Sequence, residues 1–115
     1  MEGYFVYILA GRKKGVLYVG MAKNLKRRVS EHKNDLRNGF TEKYKVKKLV
    51  YYEKCDSKKL ALLREKQLKK WNKSWKIRLI EKFNPGWKDL YSALNSDIAV
   101  KPNSVQTSAS SGRHS

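Results

Sequence analysis

Two tyrosines near the start of the chain have side chains that could take part in proton transfer. Tyr7 and Tyr18 lie in two short segments rich in aromatic and β-branched residues, YFVYIL and VLYV. A phenol with a pKa of about 10 is a poor base at neutral pH unless nearby cations lower that pKa. Basic residues follow Tyr18 at positions 23, 26, 27 and 28. Tyrosines in strands more often serve cross-strand packing, and spacing alone favours that role.

An arginine and a histidine follow at a spacing that would place them on one face of a helix. Arg28 and His32 are four residues apart, and Val29 and Leu36 would form the buried face that they border. A guanidinium can bind a phosphate, and an imidazole can transfer a proton near neutral pH. In so basic a chain, Arg28 could equally be an ordinary surface residue.

Two polar residues in the second half of the chain are further candidates. Glu65 has Ala61 four residues before it and Leu68 three after it, so it faces the apolar side of a predicted helix. A carboxylate there must be paired or bind a cation, and a salt bridge to a neighbouring lysine or arginine is an equal alternative. Asn84 precedes Pro85. The alternative role of Asn84 is that of a simple helix terminator.

Together these residue types match the requirements of phosphodiester hydrolysis. A water must lose a proton, the charge on the phosphorus centre must be neutralised, and the leaving oxygen must be stabilised. A divalent cation held by a carboxylate can supply the last two functions, with an arginine assisting. Each candidate is weak by itself, because each has an ordinary structural explanation.

The elements that must position these residues begin with a predicted hairpin. Residues 4–9 and 16–19 are predicted strands, joined by a glycine-bounded turn over residues 10–15, and Gly20 is predicted to end the second strand. A helix is predicted over residues 24–37, with Asn24 as its N-cap.

The rest of the chain is predicted to form one strand and two or three helices. Residues 45–53 have strand character. Asp56 or Ser57 would cap a helix that ends near Trp71, and a third helix would begin at Ser74. Their predicted apolar stripes are Leu60, Ala61, Leu68 and Trp71 in the second helix, and Trp75, Leu79, Ile80 and Phe83 in the third. A short last helix is expected within residues 87–94.

The order β-β-α-β-α-α predicts an α+β domain with a small, three-stranded, mainly antiparallel sheet flanked by helices. The predicted domain covers residues 1–95 of a 115-residue chain. Residues 96–115 are rich in serine and lack aromatic residues, which predicts a disordered tail. Nothing in the sequence indicates an oligomeric state.

Composition restricts the partner and the compartment. The chain has 27 Lys and Arg against 10 Asp and Glu, a net charge of +17, and nearly all of the excess precedes residue 96. Such a charge favours a polyanion, most commonly nucleic acid, although an anionic membrane surface or an acidic protein would also fit. The single cysteine, Cys55, excludes an internal disulfide. The sequence shows neither a signal peptide nor a run of about 20 apolar residues, so a cytoplasmic protein without membrane association is expected.

Four separated segments resemble the GIY-YIG nuclease domain in order and spacing. They are VYIL at residues 6–9, LYVGMAKNLKRRVSEH at 17–32, LREKQLKKW at 63–71 and NPGW at 84–87. The resemblance covers almost all of the predicted domain and is greatest to the small single-domain bacterial members. The nuclease domain of the excision-repair C subunit and the homing-endonuclease catalytic domains are more distant relatives. It implies a metal-dependent endonuclease acting on DNA, with a possible setting in DNA repair or recombination.

The resemblance also implies a role for each candidate residue. Tyr7 and Tyr18 would activate the attacking water, with Tyr7 as the base and Tyr18 assisting. Arg28 would contact the scissile phosphate, and His32 would assist proton transfer or phosphate contact. Glu65 would bind a single Mg²⁺ or Mn²⁺. The remaining implied site residues are Asn84, which would support the site, Gly20, where a side chain would crowd it, and the substrate-binding Lys23, Lys26 and Arg27.

The sequence departs from the family at Met21, and alternative functions stay open. Met21 stands where the excision-repair branch has a lysine, so Lys23 would have to lower the tyrosine pKa, or the base would be weaker. Lysines and arginines contact phosphates and carry little base information, which predicts weak sequence specificity. Single-stranded, duplex and branched DNA, and RNA, stay open as substrates. The alternatives to an enzyme are a non-catalytic nucleic-acid-binding module on the same fold and a basic structural protein.

Overall fold

The chain folds in the order β-β-α-β-α-α, as the sequence predicts. The computed structural model describes residues 3–11, 15–34, 46–95 and 103–104. The elements are β1 (Tyr4–Ala10), β2 (Leu17–Ala22), α1 (Leu25–Asn34), β3 (Lys48–Cys55), α2 (Lys58–Lys70) and α3 (Lys73–Phe83), then a 3-10 turn (Ser92–Asn95) and β4 (Asn103–Ser104). The α+β fold class is confirmed.

The sheet has β1 at its centre and the order β2-β1-β3-β4. Strand β1 pairs antiparallel with both β2 and β3, which confirms the predicted three-stranded antiparallel sheet. The two residues of β4 add a short parallel pairing, with Asn103 opposite Glu53. The other residues of the predicted tail over 96–115 lie outside the described part of the chain.

Strand β2 extends further than the sequence predicts. Gly20 does not end it, because the strand continues to Ala22, which pairs with Phe5. The ladder is made by backbone groups, so a residue without a side chain does not interrupt it. Strand β3 begins at Lys48, and residue 45, where the sequence predicts its start, lies outside the described residues.

Each face of the sheet is covered by different helices. Phe5, Tyr7 and Leu9 point to the face that packs against α1. Val6, Ile8 and Ala10 point to the opposite face, where Ala61 and Leu68 of α2 and Ile80 of α3 complete the core. This alternation follows from the two-residue period of a strand. Strand β1 is therefore buried on both faces along most of its length.

Side-chain caps begin each α-helix in the described part of the chain. Asn24 accepts the backbone N–H of Arg27 at 3.0 Å, and Ser57 accepts that of Leu60 at 3.1 Å. Both caps are predicted from sequence, and Ser57 takes the place for which Asp56 was the alternative. The third helix begins at Lys73 rather than Ser74, because Asn72 is its cap. The predicted end of the first helix, at residue 37, lies outside the described residues.

The apolar stripes of α2 and α3 are partly confirmed. Ala61, Leu68 and Ile80 are fully buried, whereas Trp75 has 52% of its surface exposed. The sequence places Trp75 in the buried stripe of α3, which is wrong because the buried part of α3 lies in its C-terminal half, around Ile80. The helix predicted within residues 87–94 is a 3-10 turn over Ser92–Asn95.

No helix in the described part of the chain is long and apolar enough to cross a membrane.

A buried ion pair joins β3 to α2. Glu53 is only 1% exposed, and its carboxylate accepts two hydrogen bonds from Arg64, 2.7 Å from Nε and 3.2 Å from Nη2. The Tyr51 hydroxyl donates a further short hydrogen bond to Glu53. A buried carboxylate is tolerated only when hydrogen-bond donors and a cation satisfy it, so Glu53 requires its contact with Arg64.

We expect Arg64→Met to lower the free energy of unfolding by about 3–5 kcal/mol, because it leaves the Glu53 carboxylate buried without its cation. The double variant Glu53→Gln, Arg64→Met should recover most of that loss. Lys66→Met, at an exposed position of the same helix, is the control and should change stability by less than about 0.5 kcal/mol. Urea unfolding followed by circular dichroism measures the free energy of unfolding of all three variants. An Arg64→Met protein as stable as the Lys66→Met control would contradict the expectation.

Candidate active site

The pairing of β1 with β2 brings the two candidate tyrosines to one face of the sheet. Tyr7 is directly opposite Gly20, and Tyr18 lies two residues before Gly20, diagonal to Tyr7. Residues two apart in a strand share a face, so both rings point to the same side. The ring centroids are 6.4 Å apart, at an angle of 37°. The sequence predicts that the two rings approach each other if the strands pair, and the structure shows this approach.

Gly20 leaves the space that the Tyr7 ring occupies. A Cβ atom at position 20 would lie 2.5 Å from Tyr7 Oη, 2.6 Å from its Cζ and 3.0 Å from Cε1 of Tyr18. Tyr7 is 1% exposed, so its ring cannot move aside without displacing the core. Any side chain at position 20 would therefore displace the tyrosine hydroxyl, in agreement with the sequence-based expectation.

Helix α1 places a histidine against both tyrosines. His32 Nε2 lies 3.0 Å from Tyr7 Oη, which is a hydrogen-bond distance. The imidazole also meets the Tyr18 ring edge-on, with centroids 5.1 Å apart. Leu25, Val29 and His32 are the buried residues of α1, so His32 lies within the buried face rather than at its border. One turn of helix therefore separates Arg28, which is exposed, from a histidine in the core.

Burial keeps both members of the Tyr7–His32 pair uncharged at neutral pH. Burial raises the pKa of Tyr7 far above its ordinary value, Tyr18 and Glu65 raise it further, and Arg28 opposes them. Burial and the charge of Arg28 both lower the pKa of His32. A neutral imidazole has one nitrogen that accepts a hydrogen bond, so Nε2 can accept the phenolic proton.

Exposed basic side chains lie on α1 and in the turn before it. The Arg28 side chain is 51% exposed and lies 3.8 Å from Glu31, which also pairs with Arg27 at 3.3 Å. Lys26 is exposed. The Lys23 ammonium lies over the Tyr4 ring, 5.9 Å from its centroid. The charge of Arg28 lowers the pKa of Tyr7, against the effect of burial.

Glu65, on α2, is a half-buried carboxylate that could hold a cation. Its side chain is 20% exposed and pairs with Lys69 at 3.1 Å, the salt bridge that the sequence left as an alternative. Its charge contributes to the raised pKa of Tyr7. Within the described residues no three His, Cys, Asp or Glu side chains gather into a metal site. A single accessible carboxylate fits Mg²⁺ or Mn²⁺, which would complete its shell with water and substrate oxygens.

Asn84 lies apart from these residues and stabilises a chain reversal. Its amide donates to the carbonyls of Val50, at 3.1 Å, and Lys88, at 2.9 Å, and its oxygen accepts the Lys88 N–H at 3.1 Å. It is also the C-cap of α3. These contacts agree with the helix-terminator alternative, and the supporting role that the family resemblance implies stays a prediction.

One contact that positions α1 has no signal in the sequence. Lys33 pairs with Asp89 at 2.5 Å, and the other Asp89 oxygen accepts the backbone N–H groups of Leu49 and Tyr91, both at 3.1 Å. Asp89 thus ties the residue after His32 to the start of β3. The two partners are 56 residues apart, so no local pattern could identify them.

The comparisons with known proteins agree with this geometry. A family model described as the GIY-YIG catalytic domain matches residues 3–78, which include every candidate residue except Asn84. A UPF0213 protein of Staphylococcus saprophyticus is 35% identical over 80 residues, which cover 70% of this chain and 96% of that protein. A UPF0213 protein of Staphylococcus aureus strain Mu3 is 36% identical over 81 residues, 70% of this chain and 98% of that protein. No solved structure is significantly similar. The chain belongs to the GIY-YIG family, as one of its small single-domain members.

We expect Gly20→Ala to separate Tyr7 from His32 and to cost about 1–3 kcal/mol of stability, because the added methyl overlaps the phenol. The measurement is the His32 imidazole resonance in NMR titrations, together with urea unfolding. Gly86→Ala is the matched control, because a Cβ there meets only the Lys88 side chain at 3.7 Å or more. A Gly20→Ala protein with the stability and His32 titration of the control would contradict the expectation.

Proposed function

We propose that this protein is a metal-dependent endonuclease that hydrolyses DNA phosphodiester bonds with little sequence specificity. The observation that carries the proposal is the 3.0 Å contact between Tyr7 Oη and His32 Nε2, in a cluster on which Arg28 and Glu65 act electrostatically. Binding of a nucleic acid requires no such buried phenol–imidazole pair. Membership of the GIY-YIG family supports the same class of reaction.

In the proposed reaction, Tyr7 and His32 remove the proton from the attacking water together. The Tyr7 oxygen accepts a proton from water while its own proton passes to His32 Nε2. The water oxygen attacks phosphorus, the bond to the leaving oxygen breaks, and that oxygen takes a proton from solvent. This relay avoids a free phenolate, which the burial of Tyr7 makes costly. Tyr18 assists by holding the imidazole, whose ring it contacts.

Glu65 and Arg28 would supply the charge that the phosphate requires. We assign Glu65 to hold Mg²⁺ or Mn²⁺, which would neutralise the phosphate and stabilise the leaving oxygen. Lys69 would then give up its ion pair with Glu65. Arg28 has an exposed side chain above the cluster and would contact the scissile phosphate.

The exposed basic residues favour binding without sequence reading. Lys23, Lys26 and Arg27 would bind neighbouring phosphates, which carry no base information. Resemblance to the excision-repair branch is the basis for proposing a setting in DNA repair or recombination. The assignment of Asn84 as a supporting residue rests on that resemblance too, and its hydrogen bonds suit a structural role.

We expect the purified protein to cleave labelled DNA in the presence of Mg²⁺ or Mn²⁺, and we expect EDTA to abolish that cleavage. Single-stranded, duplex and branched DNA, together with an RNA of the same sequence, identify the preferred substrate. Glu65→Gln should lower the cleavage rate at least about 100-fold, because a catalytic metal ion contributes several kcal/mol of charge stabilisation. Asp56→Asn, which removes an exposed carboxylate beside α2, is the control and should cleave like the wild type. Retained binding with no cleavage in any metal would instead indicate a non-catalytic binding module.

The relay also predicts the pH dependence of cleavage. Because the pKa of His32 lies below 6.5, the accepting imidazole is neutral above that value, and kcat/KM should be flat from about pH 7 to pH 9. The rate should fall on acidification through the pKa of His32, as the accepting nitrogen gains a proton. His32→Ala should lower the rate roughly 10²–10⁴-fold, the usual contribution of proton transfer. A rate that instead rises tenfold per pH unit across pH 7–9 would show that free phenolate is the reactive form, against the relay.

A further inference from the structure

Among the three tryptophans, only Trp75 presents a large part of its ring to solvent. Trp75 is 52% exposed, whereas Trp87 is 2% exposed and belongs to the core, and Trp71 is half-buried. About half of the Trp75 surface is therefore in contact with water, where a partner can reach the ring.

The exposed indole is held firmly from beneath. The Trp71 ring meets it edge-on, with centroids 5.7 Å apart at an angle of 84°. The Arg64 guanidinium lies over the Trp71 ring at 5.3 Å, and Arg64 is itself fixed by the buried Glu53. The Trp75 backbone N–H is bonded to the Asn72 cap at 3.0 Å. A ring supported in this way offers a preformed stacking surface at little cost in conformational entropy.

The segment that carries this ring is strongly basic. We define the α2–α3 corner as residues 66–78, a segment without aspartate or glutamate. Its basic residues are Lys66, Lys69, Lys70, Lys73, Lys76 and Arg78. All of them are exposed except Lys76, which is half-buried. Lys69 is paired with Glu65, outside the corner.

This combination favours one kind of partner. Like charges oppose the docking of a second copy of the chain through the corner, and they attract phosphates. In a duplex, neighbouring base pairs cover the base faces, so an indole gains a stacking partner only from an unpaired base. Stacking on an aromatic side chain beside a basic surface is the usual means of binding single strands.

We propose that the α2–α3 corner binds single-stranded nucleic acid, with an unpaired base stacked on Trp75 and the adjacent phosphates bound by Lys70 and Lys73. The inference rests on the proposed function, because it extends the substrate of the active site to a single-stranded segment that continues across α2 and α3. The corner does not include Tyr7, His32 or Glu65, so binding at the corner and cleavage can be tested separately.

The test is equilibrium binding by fluorescence anisotropy, in EDTA so that cleavage does not intervene. The probes are a labelled oligo-dT strand, a duplex of the same length, and a strand in which abasic sites replace the bases. Trp75→Ala should weaken binding of the oligo-dT strand roughly 5- to 150-fold, the range that loss of one stacked base gives. It should change binding of the duplex and of the abasic strand by less than about twofold, and Trp75→Phe should retain most of the affinity for oligo-dT.

Two controls separate stacking from charge. Leu62→Ala removes an exposed apolar side chain elsewhere on α2 and should leave all three affinities unchanged. Lys70→Gln with Lys73→Gln should weaken both strand and duplex binding, and should reduce the slope of log K against log salt for the strand by about 1.4. Trp75→Ala should leave that slope unchanged, because no phosphate contact is lost.

Several results would overturn the proposal. One is a Trp75→Ala protein that thermal unfolding shows to be folded and that binds oligo-dT as the wild type does. Another is an equal loss for strand and duplex. Binding of vesicles of anionic phospholipid that is lost in Trp75→Ala, while oligo-dT binding is retained, would assign the corner to a membrane surface. Because every assay is done without metal, failure of the enzyme to cleave DNA would leave these outcomes unaffected.

Discussion

The contact between Tyr7 and His32 depends on three elements being fixed relative to one another. Strand β1 holds the phenol, β2 leaves the space for it at Gly20, and α1 brings the imidazole to 3.0 Å from it. Close packing links these conditions, since the tyrosine has no other space in the core. The ties that fix α1 are the buried Leu25 and Val29 and the Lys33–Asp89 pair. The active-site geometry is therefore a consequence of how α1 docks on the sheet.

The charge of Arg28 opposes the effect of burial on the pKa of Tyr7 and adds to the effect of burial on the pKa of His32. Burial disfavours ionisation of both Tyr7 and His32, so the pair is neutral in the protein alone. Arg28 favours the phenolate and Glu65 disfavours it. A cation held by Glu65 would reverse the sign of the local charge next to Tyr7, and it would reach the site together with the phosphate that it binds. In the proposed enzyme, substrate and metal would thus supply the charge that the neutral protein site lacks.

Stability and function are separated within the same helix. In α2, Ala61 and Leu68 pack on the sheet and Arg64 satisfies the buried Glu53, whereas Glu65 pairs with Lys69 and is the proposed metal ligand. Consecutive residues can serve such different purposes because each lies about 100° further around the helix. In the α2–α3 corner, the same ion pair supports Trp71 and, through it, Trp75.

Local patterns in the sequence determined the order of elements, the caps at Asn24 and Ser57, and the placement of Tyr7 and Tyr18 on neighbouring strands. These features follow from interactions within a few residues. The sequence did not determine that His32 is buried, that β2 continues past Gly20, or that Trp75 is exposed. Nor did it reveal the Glu53–Arg64 and Lys33–Asp89 pairs, which join residues 11 and 56 positions apart. Only the tertiary structure decides such features, because burial and ion pairing depend on which face of each helix meets the sheet, and that choice minimises exposed apolar surface over the whole chain.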